Sequence, residues 1–410
     1  MAATAVTFLV CAVPPATNVT PGTIGYAFVL AVLVTLALWL VSLRAVATPF
    51  SRLEIGAVTA LFGWTLLGVP RGGGEWDAAL VTTLLALVAL VCPWALARGV
   101  TADRLAATVM TMCGAAVIGS AVAAWVIPVL TGDGVHLRPG LPIGGASNNA
   151  VGLMIALAGA LAAARRRPEH RWAWWATALV AVVLVLQSVS RAGWGMVIVV
   201  LLAAAAIHRE RSWRRIGVVT IPAAVVGVGS LVALRGPRAL VDTARIDNAA
   251  VALDVWSSSL GSIIVGLGPM QVWPWLAAER DGVGPSLKHD SSWGDTLYHA
   301  HSTYLGVLVE HGLVGLVALL VVLALVIRRC VREIRARGDL ALVAVALLVS
   351  LPAMLVELYL FRSFVSAVLW WAAVMAVGRH GPHDDTEGTH GDEGAPRADE
   401  RNGPRRPQTC

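Results

Sequence analysis

The chain has 410 residues, 57% of them hydrophobic and only 14% charged, with a mean hydropathy of +0.73. Soluble domains carry roughly 25% charged residues, so this composition excludes a water-soluble globular enzyme and predicts an all-α polytopic membrane protein. The formal net charge is +6, yet the arginines fall in short clusters between apolar runs. Nucleic-acid binding, which needs one contiguous basic stripe, is thereby excluded.

A single lysine, Lys288, stands against 30 arginines, since Lys and Arg total 31. Together with the abundance of Ala, Val and Gly, this bias points to a GC-rich bacterial source. The five cysteines, Cys11, Cys92, Cys113, Cys330 and Cys410, show no metal-ligand spacing and no pairing pattern. Neither a zinc site nor a disulfide framework is implied.

A bilayer core needs about 20 apolar residues of helix. In chain order, after a short run from Met1 to Val13, apolar segments cover Gly22 to Leu43, Ile55 to Val69, Ala78 to Ala97, Leu105 to Leu130, Ala150 to Ala164, Ala173 to Val189 and Gly193 to Ile207. They continue over Ile216 to Leu234, Thr303 to Ile327, Leu340 to Val356 and Phe364 to Val377, which makes about twelve spans.

Alternate connections hold the arginines: Arg44 and Arg52; Arg98 and Arg104; Arg165 to Arg167 and Arg171; Arg209 to Arg215; Arg328 to Arg337. By the positive-inside rule these are cytoplasmic, so both termini are expected inside a bacterial cytoplasmic membrane.

Residues 1–378 are read as one membrane domain, within which residues 235–300 form a large extracytoplasmic loop. Its tryptophans suit an interface, and Asp247 to Ile264 is a candidate interfacial helix. The tail 379–410 is polar and charged and is expected to be disordered and cytoplasmic. Its His380, His383 and His390 reflect composition better than a metal site.

Four places carry chemistry. The string from Gln187 to Met196 interrupts a stretch too long for one span, so two spans should meet at Ser190 and Arg191. A guanidinium there is either an interfacial side chain or an anion clamp whose planar fork matches phosphate. The loop from Asp133 to Asn149 holds Arg138, several glycines, Asn148 and Asn149, and fits either helix capping or ligand contact. Arg235, Arg238 and Arg245 in the large loop are candidates to meet an external anion. Last, His299 to Gly315 puts His299 and His301 at the mouth of an apolar helix, with Glu310 and His311 deeper in it. Ionisable groups at such depth default to a functional reading, and a histidine titrating near neutrality suits a general base.

His301-Ser302, nine residues, then Gly312 and Gly315 resembles the His-[Asn/Ser/Gln]-x9-Gly-x-x-Gly signature of the O-antigen ligase and O-antigen polymerase superfamily. The Ser190-Arg191 turn and the Arg138 to Asn149 loop are similar to other elements of that family, and the resemblance in layout covers nearly the whole chain except the tail. It implies a GT-C type membrane glycosyltransferase working on the outer face without metal or other cofactor. The donor would be an undecaprenyl-pyrophosphate-linked glycan and the acceptor a glycan, lipid or cell-wall hydroxyl.

By motif position His301 would be the base and Arg191 a pyrophosphate contact. A second arginine from the external loop, Arg245 or else Arg238 or Arg235, would share that role. Arg138, Asn149, Arg238, Ser302 and Tyr304 are the candidate substrate contacts. Ligation, polymerisation and protein glycosylation stay equally open. The rival class is a transporter, because twelve spans with both ends inside are common there; the absence of an internal repeat weighs against it.

Overall fold

The computed structural model describes residues 50–71, 76–98, 100–131, 145–188, 190–208, 243–269, 271–272, 300–361 and 364–379, with scattered positions between 213 and 222. The expected spans before residue 50, most of the run from 216 to 234 and the tail from 380 onward lie outside the described residues.

The described residues are all-helical and contain no strand. In chain order the helices are α1 (Arg52–Gly68), α2 (Trp76–Ala97), α3 (Ala102–Ala121), α4 (Ile127–Thr131), α5 (Gly145–Arg166), α6 (Arg171–Gln187), α7 (Arg191–Ile207), α8 (Thr243–Trp256), α9 (Leu260–Val265), α10 (Thr303–Ala336), α11 (Ala341–Ala353) and α12 (Phe364–Ala376). A π-helical turn, Val122–Val126, joins α3 to α4. Among the described residues, three stretches are long and apolar enough to cross a membrane: Arg52–Arg71, Ala102–Leu130 and Thr303–Ala336. Large apolar side chains on them, among them Leu53, Leu67, Leu130 and Val317, stand exposed, which is a surface suited to lipid rather than water.

Local chemistry sets where helices begin. A serine or threonine precedes an apolar run at Ser51, Thr101, Ser190, Ser259 and Ser302, and each hydroxyl accepts the backbone N–H three residues on. That bond satisfies one of the N–H groups that a first helical turn leaves without an intrahelical partner. At Ser51 the cap is reciprocal, because Glu54 Oε2 accepts the Ser51 N–H at 2.7 Å.

Helix α5 is the central element. Ala150 to Ala164 is buried on every face, and α5 packs against α3, α6, α7, α11 and α12. A helix apolar all round has no solvent face to offer, and the alanines let neighbours come close.

One end of the bundle gathers the arginine-rich termini. Arg166 pairs with Asp103 and with Asp339, each at 3.0 Å. Glu333 accepts the N–H of Leu340 at 3.2 Å and of Gly378 at 3.0 Å, while Arg379 donates to the Ala97 carbonyl at 2.9 Å.

Two features differ from the sequence reading. Helix α10 runs past Ile327 to Ala336, so Arg328 to Arg335 are helical and not a loop. Arg329 is buried and holds Glu54 of α1 through two hydrogen bonds. The candidate interfacial helix is two helices, α8 and α9, separated where Ser257 to Ser259 leave the helical path.

Candidate functional site

At the opposite end from the arginine cluster, the head of α10 meets the turn that follows α11. A helix C-terminus leaves carbonyls unpaired, and here side chains of the histidine motif take several of them. Tyr304 donates to Leu351 O at 3.0 Å, and Ser302 donates to Met354 O at 3.3 Å. Thr303 uses both its N–H, 2.8 Å from Met354 O, and its hydroxyl, 2.8 Å from Glu357 O. Arg245 of α8 reaches the same turn, with Nη1 2.7 Å from Val356 O. His301 and Arg245 are therefore brought to one turn by residues 111 or fewer apart in the chain.

His301 has a φ of 48°, in the left-handed region that few non-glycine residues adopt. Such a conformation costs of the order of 1 kcal/mol and clusters at functional sites. It turns the chain from Ala300, which is buried, into the Ser302 cap of α10.

Other candidates fall as follows. Arg191 is the first residue of α7, exposed, directly after the Ser190 cap whose hydroxyl accepts the Gly193 N–H at 3.0 Å. Its helix packs on α11, the helix that leads into the 354–357 turn. Asn149 is the fifth residue of α5. Arg138, Arg235 and Arg238 lie outside the described residues. Ser302 and Tyr304, read from sequence as supporting residues or sugar contacts, both donate their hydroxyl protons to carbonyls of the α11 end.

Sequence reasoning missed the centre of the α10 structure. Gly312 is non-helical, with φ 68° and ψ −170°, so α10 is broken nine residues from its start, about 14 Å along the axis at 1.5 Å per residue. The break frees carbonyls, and the turn after α9 takes them: Leu267 N–H donates to Val309 O at 2.9 Å and Gly268 N–H to Glu310 O at 3.0 Å. The third carbonyl, of His311, accepts Trp64 Nε1 of α1 at 2.8 Å. Arg71 then fixes the turn itself by donating to Val265 O at 2.9 Å.

Two glycines make this junction possible. A Cβ on Gly312 would strike the carbonyl oxygen of Ile264, and one on Gly266 would lie 2.5 Å from the backbone nitrogens of His311 and Gly312. Both also have positive φ, 68° and 84°, where a side chain is strained. The sequence signal was present in Gly266-Leu267-Gly268 and in Gly312, but nothing local said that the two would meet.

Beside the break lies a small cleft of about 30 Å³, bounded by Thr65, Thr83, Glu310, His311, Leu358 and Phe361 among others. It reaches from Ala300, next to His301, to the break. Among the described residues, no group of three or more His, Cys, Asp or Glu is placed to hold a metal.

Comparison with protein-family models and with curated proteins returns no match.

Proposed function

We propose that this chain is a membrane glycosyltransferase that moves glycan from an undecaprenyl-pyrophosphate-linked donor to an acceptor hydroxyl, as a ligase or a polymerase of the O-antigen ligase type. The observation that carries the reading is the shared anchor of Arg245 and the His301 segment on residues 354–357.

The chemistry asks for little more than these groups. Lipid pyrophosphate is a good leaving group, so the enzyme must stabilise the departing charge and take the acceptor proton. In the proposed step the acceptor oxygen bonds the anomeric carbon as its proton passes to His301, and the bond from that carbon to the pyrophosphate oxygen breaks. The negative charge then left on undecaprenyl pyrophosphate is met by Arg245 and Arg191. Guanidinium suits that task because its fork of donors binds phosphate oxygens in pairs and it stays charged.

The gathering of Arg166, Arg329 and Arg379 at the other end of the bundle supports an orientation with that end cytoplasmic and the His301 end outside. In this reading the site faces the outer surface of a bacterial cytoplasmic membrane, where lipid-linked glycans are delivered.

One observation favours a second reading. A helix broken well inside an apolar span is a feature of secondary transporters, whose binding sites form at such breaks. The deciding experiment uses purified full-length protein in lipid nanodiscs with undecaprenyl-pyrophosphate-linked glycan, comparing wild type with His301→Ala. Transfer by the wild type and its loss in a monodisperse variant are the expected result. Failure of the wild type to transfer, combined with sugar uptake by the protein in sealed vesicles, would replace the enzyme with a transporter.

A further inference from the structure

We infer that Arg328, Arg332 and Arg335 of α10 bind the headgroup of an anionic phospholipid whose acyl chains lie along the same face of the helix. The two faces of α10 differ throughout its length after the break. Leu319, Val322 and Val326 are buried, and their face continues into Arg329 and Glu333, which are buried and bonded within the fold. The outer face carries Val317, Leu320, Val321 and Ile327, between 41% and 57% exposed. Past Ile327 this outer face changes chemistry without changing direction: Arg328, Arg332 and Arg335 follow at spacings of four and three, all exposed. Residues at those spacings share one side of a helix.

Three guanidiniums on successive turns repel one another. None of the three has a hydrogen bond or ion pair with the described residues. The one carboxylate between residues 328 and 336, Glu333, faces inward and accepts from Leu340 and Gly378. The negative end of a helix dipole favours cations only within the last turn. It serves Arg335, one residue before the end of α10, and leaves Arg328 two turns back without that support.

Depth and charge decide the ligand. A lipid chain lying on Val317 to Ile327 puts its phosphate just past Ile327, because the headgroup layer is about 5 to 7 Å thick on each side of the hydrocarbon. At 1.5 Å per residue Arg332 stands about 6 Å and Arg335 about 10 Å beyond Arg328, and helical side chains lean back toward the N-terminus. All three guanidiniums thereby reach one phosphate layer, where each can give paired donors to phosphate oxygens. A soluble anion would meet the charges but not the apolar strip beside them. A zwitterionic lipid would fill the strip, but it carries an ammonium that the arginines repel.

The stripe lies at the end of the bundle opposite His301, so the lipid site does not depend on the transferase reading. Its consequence is mechanical: it fixes the height of α10 in the bilayer, and with it the helix head that holds Ser302 and Thr303.

Native mass spectrometry of the full chain, released from detergent, counts bound lipids during titration with phosphatidylglycerol, diphosphatidylglycerol and phosphatidylcholine of one acyl composition. An arginine at an anionic lipid surface is worth about fivefold in affinity. Wild type should therefore bind the two anionic lipids at least tenfold more tightly than phosphatidylcholine. Arg328→Gln/Arg332→Gln/Arg335→Gln should lose at least tenfold for both, with phosphatidylcholine unchanged. Glutamine keeps the helix propensity of arginine; if the triple variant nevertheless unfolds, Arg332→Gln alone, with an expected loss of about fivefold, carries the test. A second triple, Arg104→Gln/Arg165→Gln/Arg215→Gln, removes the same charge from exposed positions off α10 and should bind like wild type. Equal affinity for all three lipids, an unchanged stripe variant, or an equal loss in the second triple would each overturn the proposal. Glycerol phosphate binding as tightly as the lipid would replace it with a soluble phosphate, and displacement of the lipid by micromolar poly-glutamate would assign the stripe to an acidic protein instead.

Discussion

Arg329 and Glu54 stand 275 residues apart in the chain and meet as a bidentate pair, Nε to Oε1 at 2.6 Å and Nη2 to Oε2 at 3.0 Å. Both side chains are almost wholly buried, and Arg329 Nη1 also donates to Val374 O at 3.0 Å. One guanidinium thus ties α1, α10 and α12 together. Removing one member strands a buried charge, so Arg329→Met and Glu54→Leu should each destabilise the protein by about 3 to 5 kcal/mol. The double variant should recover most of that loss, because apolar residues of similar volume replace buried pairs well. Thermal unfolding of the four proteins in one detergent checks this; a double variant as unstable as the singles would show that the pair does more than balance charge.

The α10 break makes an opposite pair of glycine predictions. Gly56 and Gly195 have open space where a Cβ would go, so Gly→Ala there should stabilise by up to about 1 kcal/mol. Gly312→Ala meets the Ile264 carbonyl at a φ of 68°, and Gly266→Ala meets the backbone of α10 at a φ of 84°. These two should lower stability, and, under the transferase reading, because they shift the turn that leads back to Arg245 they should lower transfer as well. Unfolding midpoints for the four alanine variants decide the matter, and a stabilised Gly312→Ala would mean that α10 runs straight.

How much of this was legible beforehand depends on the range of the interaction concerned. The start of α7 at Arg191 could be read locally, because Ser190 caps it and the polar string around it interrupts an apolar stretch. The extent of α10 could not: Arg328, Arg329, Arg332 and Arg335 look like a basic loop, and Arg329 is buried by partners far from it in sequence, Glu54 and Val374. The break at Gly312 was hidden for the same reason. A Gly-x-x-Gly in an apolar helix reads as a packing face, and the broken backbone is sustained by Leu267, Gly268 and Trp64, the last of them 247 residues away. The roles of Ser302 and Tyr304 were masked differently, since their hydroxyls suit sugars in isolation but here serve carbonyls of the α11 end.

Trp64 and Arg71 should behave as supports of the break. Trp64→Phe removes the donor to His311 O and leaves a buried carbonyl short of a partner, a change worth about 1 to 3 kcal/mol. Arg71→Met removes the donor to Val265 O. Combining the two should cost less than the sum, because both act on one junction and Arg71 also sits 5.8 Å from the Trp64 ring centroid. A double-mutant cycle on unfolding free energy reads the coupling, and strict additivity would show that the α9 turn and the α10 break are held independently.

Under the transferase reading the two arginines should fail in different ways when changed to lysine. Arg245 already gives Nη1 to Val356 O at 2.7 Å, so its guanidinium is oriented by the turn that also holds Ser302 and Thr303. A lysine ammonium is a point charge on a flexible stem and cannot hold that carbonyl and grip a pyrophosphate through a planar fork at once. Arg245→Lys should therefore lower kcat by tenfold or more, about 1.4 kcal/mol or more in the barrier, since charge that develops on the leaving group is no longer met in a fixed geometry. Arg191 is exposed at the start of α7, where lysine keeps the charge and loses only the paired donors. Arg191→Lys should mainly raise the donor KM, with a smaller effect on kcat. EDTA should leave both the wild type and the variants unchanged, because the pyrophosphate departs against arginine and not against a metal. Steady-state transfer at varied donor concentration separates these outcomes. Equal kcat in wild type and Arg245→Lys would remove Arg245 from the charge-stabilising role and pass it to Arg235 or Arg238, and loss of transfer in EDTA restored by Mg²⁺ would turn attention to the carboxylates between Asp242 and Asp295.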